Sequence, residues 1–273
     1  GEGRAGSVPA PLLARNDEIG VLARDLQNSA RALWARMDAI ERFAADVSHE
    51  IKNPLTSIRS AVETLDYVKD EKGKARLTEV LKADVRRLDR LITDISNASR
   101  LDAEMSRDTP RPIELDRLLA EIVQVYEGGR REGEAAVRLI APEAGDWRVM
   151  GREGPLGQVV RNLVDNARSF SPAGGEVRLS LHRDGADPQR PVRLLVDDDG
   201  PGIPPENLET VFQRFYTSRP KGAAFGGNSG LGLSIARQIV ETDGGRVWAE
   251  NRLDAQGRTE GARFTVALAE ARP

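Results

Sequence analysis

From Leu26 onward, apolar residues recur with gaps that alternate four and three: Leu26, Ala30, Leu33, Met37, Ile40, Ala44, Val47, Ile51, Pro54, Ile58, Ala61 and Leu65. A strand cannot hold such a repeat, and a seam this narrow covers one neighbouring helix and little more. The chain is therefore expected to contain a long helix, starting near Asp17, that pairs with copies of itself or with a neighbouring hairpin helix. The polar run Asp70-Glu71-Lys72-Gly73-Lys74 breaks the pattern, and a second stripe follows at Leu77, Leu81, Leu88, Leu91, Ile95 and Ala98, with Val85 and Ile92 beside it. Two helices joined by a short turn make a hairpin, and two hairpins make a four-helix bundle, so a homodimer is expected.

The helical half leaves much of the 273 residues for a second core. Residues 102–112 are polar and carry Pro110 and Pro112, which reads as a linker. Beyond it the rhythm changes. Helices are expected over 113–127, 153–169 and 231–243, and strands over 136–140, 146–150, 177–181, 192–196, 245–250 and 262–268. Helices interleaved with antiparallel-looking strands give an α+β layer domain.

Composition closes off several chemistries. There is no cysteine and there are two histidines, which excludes disulfides, thiolate ligands, cysteine nucleophiles and a multi-histidine metal centre. With 40 basic against 43 acidic residues the net charge is −3, so no nucleic-acid partner is expected. No apolar run approaches the ~18 residues that cross a bilayer, so no membrane contact is expected of these residues. The opening Gly-Glu-Gly lacks both an initiator Met and a leader pattern, and is expected to be the cut end of a longer protein.

The first chemical motif is Ser48-His49-Glu50-Ile51-Lys52-Asn53-Pro54. With Val47 and Ile51 in the seam, His49 falls on the face turned away from the partner helix, open to another molecule. A lone surface histidine is ordinarily just solvated. Here Glu50 can accept the Nδ1 proton and leave Nε2 nucleophilic, and Pro54 removes the hydrogen bond to residue 50 inside a helix that otherwise continues. His182, on an alternating strand, is expected to be a surface residue without a chemical role.

The second constellation is a nucleotide site with no ordinary phosphate loop. Asn162 and Asn166, four apart on a helix, share a face, and an amide oxygen suits Mg²⁺. Val196-Asp197-Asp198-Asp199-Gly200-Pro201-Gly202-Ile203-Pro204 ends an apolar strand, where glycines admit a flat ligand and a carboxylate can accept from an exocyclic amine. Gly226-Gly227-Asn228-Ser229-Gly230-Leu231-Gly232-Leu233 opens a helix whose free amides suit phosphate oxygens. Each alone is weak: two surface amides, a turn or calcium-like loop, a glycine loop. Their order after the His motif gives them weight.

The series HEIKNP, NLVDN, DDDGPGIP, VFQRFY and NSGLGL resembles the H, N, G1, F and G2 boxes of sensor histidine kinases over residues 41–270. Asp-Glu-Ile-Gly at 17–20 resembles the start of the second helix of a HAMP module. FAADVSHEIKNPLTSIRSAVETL is similar to alphaproteobacterial envelope- and acid-sensing kinases of the ChvG-like group.

The resemblance implies four parts. Residues 1–40 would be a HAMP end and signalling helix, 41–102 a dimerisation and phosphotransfer domain, 103–112 a linker, and 113–273 an ATP-binding α/β sandwich of the gyrase, chaperone and histidine-kinase superfamily. It implies the cytoplasmic portion of an inner-membrane sensor whose partners are a second copy and a response-regulator receiver domain, with ATP and Mg²⁺ as cofactors.

The roles it implies are specific. His49 would be the phosphoacceptor, Glu50 its general base, and Asn53 would position the water when a partner is dephosphorylated. Asn166 would be the magnesium ligand with Asn162 on the same face, Phe170 would stack near the base, and Asp198 would take the adenine amine. Gly200 and Gly202 would line the base pocket. Ser229, Gly230, Leu231 and Gly232 would meet phosphates, and 217–229 would be a lid, with Phe212 and Phe215 packing residues that anchor it.

Three departures from the family pattern stand out. Ser169 stands where a basic residue commonly follows the metal-ligating Asn, with Arg168 one place early. Thr217 follows Tyr216 where a basic residue is usual, which leaves Arg214 and Arg219 as candidate phosphate contacts. Asn228 replaces the first glycine of the G2 loop, a change that the left-handed tolerance of Asn accommodates. Against this reading stand a nucleotide-dependent scaffold of the same superfamily and a degenerate kinase that acts as a phosphatase alone. An exposed His on a heptad seam speaks against the first, and intact Asn166, Asp198 and Gly230 against the second.

Overall fold

The computed structural model describes residues 8–141, 145–216 and 229–271, apart from the side chains of 102–104 and 106. The chain divides into two compact units, Gly1–Leu81 and Lys82–Pro273.

The first unit is helical. A short α1, Ala10–Leu13, precedes α2, Glu18–Leu65, whose 48 residues realise the heptad seam. Asp17 starts it: its side chain accepts from the Gly20 amide at 3.1 Å and pairs with Arg15. The helix continues through Pro54, which is buried although its ring cannot donate to the carbonyl of residue 50. The early half of the seam lies bare on the single chain, with Leu26 62%, Leu33 59% and Ile40 57% exposed. A run of large apolar groups along one helix face is where another helix is needed.

The break between helices is shorter than expected. Helix α3, Glu71–Arg107, begins inside the polar run at 70–74 because the Asp70 carboxylate accepts from the Gly73 amide at 2.8 Å and caps its first turn. Helix α3 then runs nine residues past the last apolar position of its stripe, and β1 starts at Arg111 (Arg111–Glu114), so only 108–110 of the expected linker lie outside regular elements. Ile113 and Glu114, expected to open a helix, belong to β1, which pairs antiparallel with β3, Arg148–Gly151. That partner lies far along the chain, and Pro112 fits because this two-stranded sheet leaves β1 an edge.

The rest of the second unit is a helix layer on a sheet. In chain order come α4 (Leu115–Gly128), β2 (Ala136–Leu139), β3, α5 (Glu153–Phe170), β4 (Glu176–Arg183), β5 (Val192–Asp197), α6 (Gly232–Thr242), β6 (Arg246–Leu253) and β7 (Thr259–Leu268). The five-stranded sheet has the order β2-β4-β5-β7-β6. All its neighbours are antiparallel except β2 and β4, which run parallel, so the sheet is mixed rather than wholly antiparallel. The long path from β2 through β3 and α5 to β4 is the crossover a parallel pair requires.

Helix α5 is the spine of this unit. Leu156, Val159, Val160, Leu163, Val164 and Ala167, at helical spacing, are buried, against Val177 and Leu179 of β4, Leu194 and Val196 of β5 and Ile235 and Ile239 of α6, which are buried too. Each fully buried aliphatic of this size contributes about 1.5–3 kcal/mol. With that face committed to the core, Asn162 and Asn166 are left half-buried at its margin.

Candidate functional site

His49 lies on α2 with its side chain exposed, as the seam register requires. Asn53, four residues on, is exposed as well, and the spacing puts both on one helix face. No hydrogen bond joins His49 to Glu50 among the described residues; consecutive helix positions do not face each other, and Glu50 is half-buried. His49 belongs to the first unit and all the nucleotide-site residues to the second.

In the second unit, β5 delivers three aspartates to three different tasks. Asp197 receives both arms of Arg263 at 2.7 and 2.8 Å. Asp199 accepts from Arg178 at 2.6 Å and from the Glu176 amide at 3.0 Å, and Arg178 beside it holds its carboxyl below the usual range. Asp198 is the most buried of the three. It is 2% exposed, and its Oδ1 accepts from the amides of Gly200 (2.8 Å) and Ala262 (3.0 Å). Burial pushes its carboxyl up despite those two donors. No hydrogen bond of Oδ2 is found among the described residues, which leaves one acceptor open to an outside donor.

The glycines around it are sterically required. A Cβ on Gly200 would lie 2.9 Å from Asp198 Oδ1 and 3.0 Å from the Phe170 carbonyl, so the backbone of Phe170, at the end of α5, lies against this turn. Gly202 has φ +78°, and a Cβ there would lie 2.3 Å from Thr259. Asn251 of β6 pins the same turn: its Oδ1 accepts from the Ile203 amide and its Nδ2 donates to the Ile203 carbonyl, both at 2.7 Å. Arg252, next along, donates to the Asp198 carbonyl at 2.9 Å. Asn251, Arg252, Arg178 and Arg263 carry no local sequence signal and were not expected; strand pairing brings them there.

Asn162 and Asn166 have separate fates. The Asn162 amide donates to the Gly232 carbonyl at 2.9 Å and ties α5 to the start of α6. The Asn166 side chain makes no hydrogen bond among the described residues, while its backbone carbonyl accepts from Ser169 at 2.8 Å. A half-buried amide oxygen left unengaged there is a hard neutral donor of the kind Mg²⁺ takes. Arg168, the near-miss basic residue, is committed elsewhere: it pairs with Glu134 at 2.5 Å and lies 5.3 Å from the Tyr126 ring centroid. Tyr126 in turn donates to Asp165 at 2.7 Å.

At the start of α6, Gly230 has φ +77°, and a Cβ there would sit 2.7 Å from the Phe215 backbone. Phe215 itself has φ +60° and donates its amide to the Gly230 carbonyl at 2.9 Å. Phe212 is buried, packs edge-on against Phe264 at 6.0 Å and is covered by Arg237 at 4.1 Å, the packing role expected of it. Arg214 is exposed. The Leu231 amide is held at 3.1 Å by the hydroxyl of Ser229, which also donates to Asp94 of α3. Of the expected lid, residues 217–228, with Arg219 and Asn228, lie outside the described residues. His182 is exposed with its Nε2 3.0 Å from the Ser180 hydroxyl, the surface position expected of it.

Two family models match the chain: the His Kinase A (phospho-acceptor) domain over residues 39–104, and the histidine kinase-, DNA gyrase B- and HSP90-like ATPase over 151–272. The chain is 51% identical over 263 residues to the sensor protein ChvG of Agrobacterium fabrum, covering 93% of this chain and 43% of that protein. It is 47% identical to ChvG of Rhizobium meliloti, over 93% of this chain and 44% of that one. The chain thus spans less than half the length of these curated relatives. Among solved structures, the histidine kinase ThkA in complex with the response regulator protein TrrA aligns with a TM-score of 0.65 and 25% identity, over 89% of this chain and 66% of that one. With a phospho-acceptor domain and an ATPase domain in one chain, and half its residues shared with a sensor protein across nearly its whole length, the chain belongs to the sensor histidine kinases of two-component systems.

Proposed function

We propose that this chain phosphorylates His49 from ATP and passes the phosphoryl group to an aspartate of a response-regulator receiver domain. The observation that carries the nucleotide half is Asp198: a carboxylate 2% exposed, with one oxygen satisfied by two amides and the other left for an outside donor, beside glycines that a side chain would block. That arrangement matches the exocyclic amine of adenine, and Phe170 lies against the same turn. Asn166 offers the amide for Mg²⁺, with Asn162 fixing α6 relative to it. The metal, when bound, neutralises charge on the phosphates. Backbone amides of Gly230, Leu231 and Gly232 at the head of α6 are the phosphate donors in this reading.

His49 attacks the γ-phosphorus through Nε2. The new bond is N–P, the broken bond is the O–P bond to ADP, and the Nδ1 proton passes to Glu50 once its side chain turns towards the ring. The chain's contribution is positioning and charge neutralisation. Asn53, one turn from His49, orients water for the reverse, dephosphorylating reaction on the partner. The bare seam from Leu26 to Ile40 is the pairing face for a second copy, and residues 1–40 are the output end of a HAMP module fed by a membrane sensor.

Incubation with γ-labelled ATP and Mg²⁺ tests the reading. Acid-labile, alkali-stable label on the wild type and none on His49→Gln is the expected result. Label that survives in His49→Gln would move the acceptor elsewhere.

A further inference from the structure

Asp94 is a residue that neither the phospho-acceptor motif nor the nucleotide motifs include. It lies on α3, is half-buried, and takes the hydroxyl hydrogen of Ser229. Ser229 is itself buried, and its oxygen also accepts the Leu231 amide at 3.1 Å. One chain of hydrogen bonds therefore runs from the Leu231 amide through the Ser229 hydroxyl to the Asp94 carboxylate. Its first member is an amide that leads into α6, an 11-residue helix whose opening N–H groups have no intrahelical partner.

Those are the donors a nucleotide's outer phosphates need. A phosphate and a carboxylate carry the same charge and compete for the same hydroxyl, in surroundings where burial works against the charged form of Asp94 and Asp165 adds a second negative charge, offset in part by the Ser229 hydroxyl and by Arg90. Occupation by one excludes the other.

We infer that Asp94 and Ser229 form a latch: α3 holds residues 229–231, just ahead of α6, through this contact in the nucleotide-free chain, and the terminal phosphate of a bound triphosphate displaces Asp94 to bind. Asp94 is thus a positioning residue that sets the threshold for nucleotide loading, because only the unlatched fraction of molecules is ready to bind. A shift of α3 is then felt directly at the phosphate donors, through one side-chain contact. This rests on the nucleotide reading of the site.

Two variants test it: Asp94→Ala removes the acceptor, and Asp94→Asn keeps its size while removing its charge. Wild type and both variants are titrated calorimetrically with Mg²⁺ and a non-hydrolysable ATP analogue, and separately with ADP, with a thermal melt of each. Release of a charge-assisted hydrogen bond is expected to tighten triphosphate binding by about three- to tenfold and ADP binding by much less. Asp94→Asn is expected to follow in the same direction, and it carries the test if Asp94→Ala does not fold. A merely structural Asp94 would change the melting temperature and leave the ratio of the two affinities where it was. That result, or weaker triphosphate binding in a folded variant, overturns the latch while leaving the nucleotide site intact. A wild-type chain that binds neither nucleotide overturns the site and the latch with it.

Discussion

Replacing Asn251 isolates the contribution of a residue that lies outside every expected motif yet holds one of them in place. Its side chain makes two hydrogen bonds to Ile203, one as acceptor and one as donor, each at 2.7 Å. Both are lost in Asn251→Ala, at about 0.5–1.5 kcal/mol each, so a loss of about 1–3 kcal/mol is expected. Asn251→Asp separates the two bonds. The acceptor to the Ile203 amide survives, while the former donor becomes a carboxylate oxygen facing a carbonyl oxygen.

That opposition is relieved when the introduced acid is protonated, since it then donates as the amide did. Its folded-state pKa is therefore raised above its unfolded value of ~3.9. The sign follows: the variant's stability is fully present below the unfolded pKa and is lost as pH rises through the folded one. Urea unfolding, followed by fluorescence of Trp248 three residues away on the same strand, reads the midpoint at acid and neutral pH. Asn251→Ala is expected to lower it about equally at both, and Asn251→Asp chiefly at neutral pH. The reasoning is refuted if Asn251→Asp shows no pH dependence beyond that of the wild type, or if Asn251→Ala unfolds at the wild-type midpoint. Nucleotide affinity should fall with the midpoint, because the same two bonds hold the turn that follows Asp198.

Burial raises the Asp198 carboxyl, and an adenine amine on Oδ2 favours its charged form, so nucleotide binding should release protons and weaken as pH falls through that raised pKa. Titrations in two buffers of different ionisation enthalpy measure the release, and Asp198→Asn should abolish it. The ligand-free chain behaves oppositely: the raised pKa removes stability as pH rises, so Asp198→Asn should be the more stable apoprotein above that pKa. Arg168→Ala should cost about 1 kcal/mol from its ion pair and its place over Tyr126, and leave nucleotide affinity within about twofold. A tenfold loss of affinity would restore Arg168 as a phosphate contact. Leu33→Glu with Ile58→Glu should turn a sedimenting dimer into monomer, since buried unpaired charges on a helix seam cost several kcal/mol; a wild-type monomer at micromolar concentration removes the pairing face.

What could be read from the residues alone follows the reach of the forces involved. The seam of α2 and the apolar stripe of α5 repeat every turn, so their periodicity states both the element and its buried face, and the position of His49 follows from register. Boundaries set by distant partners could not be read that way. Ile113 and Glu114 continue a helical pattern, yet they pair with Val149 and Arg148, more than thirty residues on. The parallel run of β2 beside β4 is likewise invisible in two short alternating segments.

The site divides by the same rule. Asp198, Gly200 and Gly202 sit in one loop and declare themselves together, whereas Asn251 and Arg252 reach that loop only because β6 and β7 pair across a hairpin. Three adjacent aspartates look interchangeable in sequence. What singles out Asp198 for the proposed ligand is that Arg263 claims Asp197 and Arg178 claims Asp199, so the middle carboxylate, the most buried of the three, is the one left with an oxygen to spare. The flanking arginines thereby specify the site without touching it. Moving either charge would leave its aspartate with Arg252, at 3.5 Å, as its remaining ion-pair partner, and so weaken the division of tasks along the strand end.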